Sequence, residues 1–232
     1  MKIRWLLLSV LMGGSSIAQK TEWTAGFSSG LYKYSGPSAA KSSFIIHPVF
    51  VESYTNNPYG NKNGWCYGLL GGVSRINKKN WIIGAELAFE ILRSKADITS
   101  IGLDFINIPA TGSTSLESNT INGYSFGGYR FPIKSMSIDI TGGFDFCYLI
   151  GTIEKGNATD TDGRNYSTSV DRTTIHFDIR PRIQLDWKYR QIGCYLGYAF
   201  GTSNHRKGYL GGVNETYGRL IRFGLKWKWT CK

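Results

Sequence analysis

The stretch Ile175-His176-Phe177-Asp178-Ile179-Arg180-Pro181-Arg182-Ile183-Gln184-Leu185-Asp186-Trp187-Lys188 decides the fold class. Ile175, Phe177, Ile179, Ile183, Leu185 and Trp187 share one parity, and His176, Asp178, Arg180, Arg182, Gln184, Asp186 and Lys188 share the other. A period of two belongs to an extended chain whose successive side chains point to opposite sides, so the segment reads as a β-strand with one apolar and one charged face.

The pattern recurs outward from this strand. Ser137 to Ile150 places Ile138, Ile140, Phe144, Phe146, Tyr148 and Ile150 against Asp139 and Asp145, and Ile221 to Trp229 places Phe223, Leu225, Trp227 and Trp229 against Arg222, Lys226 and Lys228. Trp81 to Leu92 carries Glu86 and Glu90 on its polar face, while Gly64 to Arg75 and Ile192 to Gly201 carry mainly small residues there. Glu22 to Tyr34 and Thr120 to Phe131 are weaker, and the faces of the second are not assigned by the pattern. That makes eight strands. Three connections are tight (Asn77 to Asn80, Pro132 to Ser135, Tyr189 to Gln191), whereas Ser35 to Asn63, Lys95 to Asn119, Thr152 to Val170 and Thr202 to Asn214 are long. Short turns at one end and long loops at the other, with an even number of strands, form the pattern of an eight-stranded antiparallel up-and-down transmembrane β-barrel. Phe44 to Val51 and Ile98 to Ile108 alternate poorly and are read as extensions at the mouth rather than as a ninth and tenth strand.

Composition agrees. The 232 residues include 29 Gly, 6 Pro and 14% aromatic residues, which excludes disorder and favours strands over helices. Lys2 and Arg4, the apolar run Trp5 to Met12 and the small residues Gly13 to Ala18 form a secretory signal peptide over residues 1–18, leaving a barrel domain over 19–232. Removing Lys2 and Arg4 lowers the formal charge from +11 to +9. Export and the absence of a single basic run set nucleic acid aside as a partner.

Alternation alone does not say which face is outside, because a soluble lipocalin-like ligand carrier shares the period with its apolar face inward. Two features choose. Trp23, Trp81, Trp187, Trp227 and Trp229 fall at the turn ends of their strands and Trp65 at the other, as indoles do at the two headgroup boundaries of a bilayer. Tyr67, Tyr148, Tyr198, Phe200 and Tyr217 supply the rest of the loop-side girdle. Gly64, Gly68, Gly72, Gly193, Gly197 and Gly201 lie on the polar faces, where a crowded interior needs room and a solvated face gains nothing from Gly. The polar face is therefore expected inside.

The ending Ser-Ile-Ala before Gln19, the eight strands, the run Tyr124-Ser125-Phe126-Gly127-Gly128-Tyr129-Arg130 and the alternating C-terminal strand resemble the small outer-membrane β-barrel domain family often labelled porin-like in Bacteroidota. The chain departs from the pattern in ending Trp229-Thr230-Cys231-Lys232 rather than on Phe. The resemblance implies location in the cell outer membrane. It also implies the lipid bilayer and the barrel-assembly machinery as partners, and a non-catalytic structural, adhesive or accessory role with the extracellular ligand left open.

The chemistry expected inside is a lumen network of Glu86, Glu90, Asp139, Asp145, His176, Asp178, Arg180, Arg182, Asp186, Arg222, Lys226 and Lys228, filling an interior just wide enough for side chains. Charges of both signs in a low-dielectric space must pair. A lipid-modifying enzyme is the alternative. His176 and Asp178 fall two residues apart, but outer-membrane lipid deacylases carry His and Ser at that spacing on the lipid side, and acyl transferases of this size need an apolar lumen. No catalytic residue, metal site or cofactor is expected. Of the four cysteines, Cys66 and Cys147 sit on strands too far apart to bond, and Cys194 with Cys231 is the one pair whose strands are neighbours. The tight turns carry Lys78, Lys79, Lys134, Lys188 and Arg190 without an acid, a basic end suited to anionic lipid.

Overall fold

The computed structural model describes residues 18–48, 52–103, 106–208 and 214–231. Of the expected signal peptide, all but Ala18 lies outside the described residues. Eleven strands and no helix appear among them: β1 (Ala18–Ser35), β2 (Ser42–Ile46), β3 (Tyr54–Thr55), β4 (Lys62–Asn77), β5 (Trp81–Leu103), β6 (Ile106–Ile133), β7 (Met136–Asp160), β8 (Asn165–Asp171), β9 (Phe177–Tyr189), β10 (Ile192–Phe200) and β11 (Tyr217–Cys231).

Eight of these pair antiparallel in the order β1-β4-β5-β6-β7-β9-β10-β11, and β11 returns to β1, so the ring closes with no free edge. Closure satisfies every ladder within the ring, which an open sheet cannot do. The tight turns each place a non-glycine residue at positive φ, Asn80 (65°), Lys134 (49°) and Arg190 (54°). In the first, the Asn77 side chain accepts from the backbone of Lys79 and Trp81, both at 2.9 Å.

The expected loops 95–119 and 152–170 are corrected by the structure. Their described residues are strand apart from the turn at 161–164: β5, β6 and β7 run 23, 28 and 25 residues and project beyond the ring, joined by β8 on β7, by β2 on the outer half of β5 and by β3 on β2. The described parts of the Phe44 and Ile98 stretches belong to this extension, outside the ring. The reason is a reversal of polarity along each strand. In the ring half of β5, Ile83, Leu87 and Phe89 are exposed and Glu86 and Glu90 are buried. In its projecting half Lys95 is exposed while Leu92, Ala96 and Ile98 are buried. β7 reverses in the same place. Phe144, Phe146, Tyr148 and Ile150 are exposed around buried Asp145, and beyond a register shift opposite Asn119 and Thr120, Lys155 is exposed and Ala158 buried. The extension accordingly has its own small apolar core, Ile45, Ile98, Ile101 and Ala158.

Candidate functional site: a paired-charge lumen inside an apolar wall

The ring's interior is built from one parity of each strand. Gly68 and Gly72 of β4 keep it open where it is tightest, since a Cβ there would approach the Glu90 and Glu86 side chains to 2.9 and 2.7 Å. At the turn end Glu22 accepts from both terminal nitrogens of Arg130, at 2.9 and 2.8 Å, and from Lys188 at 2.6 Å. Arg130 also forks onto Asp139 through two 2.6 Å bonds. Lys228 then bridges Asp139 and Asp186, at 3.4 and 3.3 Å. One layer up, Lys226 joins Glu86 to Asp186, and Arg182 reaches Asp145 at 3.2 Å. Arg222 holds Glu90 at 2.5 Å and Asp145 at 2.7 Å, while Ser28 donates to Glu90 at 2.9 Å. At the mouth Arg180 donates to Asp178 at 2.6 Å.

Counted along the ring, seven buried acids (Glu22, Glu86, Glu90, Asp139, Asp145, Asp178, Asp186) face seven buried bases (Arg130, Arg180, Arg182, Lys188, Arg222, Lys226, Lys228). The alternation finds eleven of these. It misses Arg130, whose strand it does not orient, and Glu22, although Trp23 beside it already fixes the parity. Lys188, assigned to a basic turn, points inward to Glu22, so four of the five expected turn bases, Lys78, Lys79, Lys134 and Arg190, remain in the turns. Among the described residues the lumen retains a cavity of about 10 Å³ beside Asp186 and Lys228, room for about one water.

His176 is the lumen residue that the structure overturns. β9 begins at Phe177, the period ends at the bend before it, and the exposed imidazole stacks outside on Tyr148 with ring centroids 6.4 Å apart. Asp178 turns inward, so the two residues share no face. The histidine that does enter is His205. Its segment folds into the mouth, where Nε2 lies 3.5 Å from Asp178, the ring packs edge-on against Tyr34, and the backbone N–H of Ser203 donates to Asp178 at 3.1 Å. Burial pushes the His205 imidazole below its ordinary pKa, against the opposing pull of Asp178. Tyr32, Tyr34, Tyr59, Leu92 and Leu220 close the mouth around it. No sequence pattern marks His205, because its loop has no period.

The outer wall is the reverse. Trp23, Trp65, Trp81, Trp187, Trp227 and Trp229 are all exposed; Trp23 faces Trp229 across the ladder, and Trp65 pairs with Leu31 near the other rim. Between them stand Phe27, Leu69, Leu87, Phe144, Ile183, Leu196 and Leu225, all exposed. Tyr67, Tyr148, Tyr198 and Phe200 ring the loop side, while Tyr217 is partly covered. Cys66, Cys147 and Cys194 are free. Cys194 stands opposite Leu225, six residues along β11 from Cys231, about 20 Å of strand, which rules out the one neighbouring pair.

No family model and no curated protein matches the chain. Solved structures similar to it include Ail, the attachment invasion locus protein of Yersinia pestis, in complex with the heparin analogue sucrose octasulfate (11% identity, 90% of this chain and 98% of that one, TM-score 0.34). Neisserial surface protein A is another (11% identity, 89% and 97%, TM-score 0.37), as is a Pseudomonas aeruginosa FadL homologue (8% identity, 90% of each chain, TM-score 0.20). At such scores none of them decides the fold or role of this chain, which stand on its own pairing and residues.

Proposed function

We propose that the chain is an integral outer-membrane β-barrel protein with a filled lumen, its tight turns in the periplasm and its extension outside the cell, serving a non-catalytic structural, adhesive or accessory role. One observation carries this reading: fourteen ionisable side chains are sealed inside the ring while its large apolar side chains are exposed outside. In water that distribution loses on both faces, whereas against hydrocarbon each residue is where its solvation favours it. Strands suit such a span because a closed ring leaves no backbone group unpaired.

The height fits as well. Eight residues of β1 separate Trp23 from Leu31, the partner of Trp65, about 26 Å along the strand, which at a tilt of about 40° rises about 20 Å, within a few Å of the roughly 25 Å apolar band of membrane barrels. A lipocalin-like carrier would need the opposite distribution and an open interior. Residues 1–18 act in this reading as the export signal, the assembly machinery inserts the mature chain, and the extension presents its surface to an extracellular partner.

The test is extraction and folding state. The native protein is expected to need detergent for release from the cell envelope and to run at a different apparent size on gels before and after boiling. A protein that stays in solution without detergent refutes the reading. With the lumen filled, planar bilayers holding the protein are expected to pass no steady porin-sized current.

A further inference from the structure

The outer wall of the extension carries a basic recess that the lumen network does not use. Lys95 of β5, Ser115 of β6 and Lys155 of β7 stand on one rung of the register, pointing outward. Adjacent strands lie about 4.8 Å apart, so the two lysine backbones are about 10 Å apart with Ser115 between them, and both ammonium groups can close on one anion seated over the serine. The recess has a volume of about 310 Å³ and is also lined by Arg93, Glu117 and Asn157. Glu117 is already neutralised by Arg93, whose Nε donates to it at 3.1 Å. Lys62, directly opposite Lys95, is taken by Asp97. Lys95 and Lys155 have no acidic partner among the described residues, and the lining sums to +2 from Arg93, Lys95 and Lys155 against Glu117. Two ammonium groups that share one recess repel, a cost that an anion between them removes.

Position selects the anion. Phe89 and Ile91 are the last outward apolar residues of β5, and Lys95 follows Ile91 by four residues, about 13 Å of tilted strand. The recess opens sideways from the wall that continues the apolar band, at headgroup height rather than at the loop tips. We propose that Lys95 and Lys155 bind a phosphate group, supplied by a phosphorylated glycolipid of the surrounding outer leaflet. This rests on the membrane reading above.

The test uses the full-length mature protein in nanodiscs containing either bis-phosphorylated lipid A or the same lipid without its phosphates, with retained lipid read by native mass spectrometry after release. The wild type is expected to retain the phosphorylated form about tenfold better. The double variant Lys95→Gln/Lys155→Gln is expected to lose that preference, while Arg164→Gln/Lys207→Gln, which removes an equal charge from exposed positions outside the recess, keeps it. The boiled and unboiled gel mobilities confirm that each variant is folded. Equal retention of both lipids by inserted wild-type protein, or an unchanged preference in the double variant, overturns the proposal. Millimolar inorganic pyrophosphate is expected to leave the lipid bound; its complete displacement assigns the site to free phosphate and overturns the lipid source. Capture of a sulfated polysaccharide at these lysines without lipid preference overturns it too. If the protein never enters the nanodisc, the membrane reading has failed; if it enters and shows no preference, only this inference has.

Discussion

The ring and the extension are made from the same three strands, yet their interiors are opposites. Within the ring, β5, β6 and β7 turn Glu86, Glu90, Arg130, Asp139 and Asp145 inward; beyond it the same strands turn Leu92, Ile98, Leu116 and Ala158 inward and Arg93, Lys95, Glu117 and Lys155 outward. A sheet has no intrinsic inside. Which parity is apolar reports what lies against each face, so in the proposed membrane reading the change between Ile91 and Arg93 is where the wall leaves the hydrocarbon. The two regions must then also be held differently, the ring by dense ion pairing and the extension by apolar packing with two buried carboxylates, Glu154 beside Arg172 and Asp160 held by the Tyr166 hydroxyl and the backbone N–H groups of Asp162 and Arg164.

The largest effect that distinguishes them comes from taking away a lumen cation. Arg222→Leu leaves Glu90 and Asp145 buried without their main partner, and breaking a buried pair by removing one member costs about 3–5 kcal/mol. In urea titrations read by gel mobility, the ring is expected to unfold as a whole at much lower denaturant. Arg172→Leu in the extension should cost less, about 1–3 kcal/mol, because Glu154 keeps the Thr55 N–H at 2.6 Å and the Thr168 hydroxyl at 2.9 Å. Equal losses from the two variants would mean that the ring's pairs are hydrated rather than sealed.

Next comes a lysine on each outer wall. Leu196 stands halfway along β10 on the exposed apolar band, where Leu196→Lys is expected to cost about 2–4 kcal/mol in a bilayer. Thr111→Lys, exposed on β6 in the extension and away from the basic recess, is expected to stay within about 0.5 kcal/mol, as surface substitutions do. Refolding yields and urea midpoints in lipid vesicles measure both. A tolerated Leu196→Lys would remove the physical basis for calling the ring wall lipid-facing.

How much of this the sequence disclosed follows from the same reversal. Eight ring strands, their short turns and eleven of the fourteen lumen charges are legible because, within the ring, apolar residues recur every second position against charges. The extension is not, since it departs from the ring's rule: 95–119 reads as a loop rich in Ser, Thr and Asn because small and hydroxyl residues interrupt its buried apolar positions, Ile98, Ile101 and Leu116. A register shift near Ile150 then moves the inward parity of β7 from odd to even, from Leu149 to Thr152, which breaks any count carried through from below. His176 fails for the mirror reason. It keeps the period by sequence but sits before the first paired residue, where nothing enforces a face.

A third measurement separates the regions by cooperativity. Ile101 is wholly buried in the extension's core, and Ile101→Ala is expected to cost about 2–3 kcal/mol at that site. The loss should appear as faster proteolysis of the extension, with the boiled and unboiled gel mobilities of the ring unchanged. Coupled loss of both would show that the three long strands unfold as one unit.

The smallest effect concerns the seal between the two regions. His205 is wholly enclosed by Tyr34, Tyr59, Thr174, Asp178 and Arg180, and its own N–H donates to the Thr216 carbonyl at 2.9 Å. Its folded pKa is lowered by burial, chiefly, and by the repulsion of Arg180, with Asp178 opposing both. In the unfolded chain it titrates near 6.5. The folded mouth therefore binds fewer protons than the unfolded one between the two values, so stability is complete above about pH 7 and falls as pH drops below about 6.5. It levels off once pH has passed the folded value. The slope cannot exceed one proton, about 1.4 kcal/mol per pH unit. Hydrogen exchange at the His205 amide, referenced to intrinsic rates, is expected to lose protection between pH 7 and pH 5.5, while amides of the turn end, such as Lys228 donating to Gln191, do not follow. In His205→Gln the mouth should lose this dependence and keep the ring intact. Protection at the mouth that rises as pH falls in the wild type would mean that Asp178 outweighs burial and that the imidazole is charged in the seal, and a flat profile would mean that the two influences cancel.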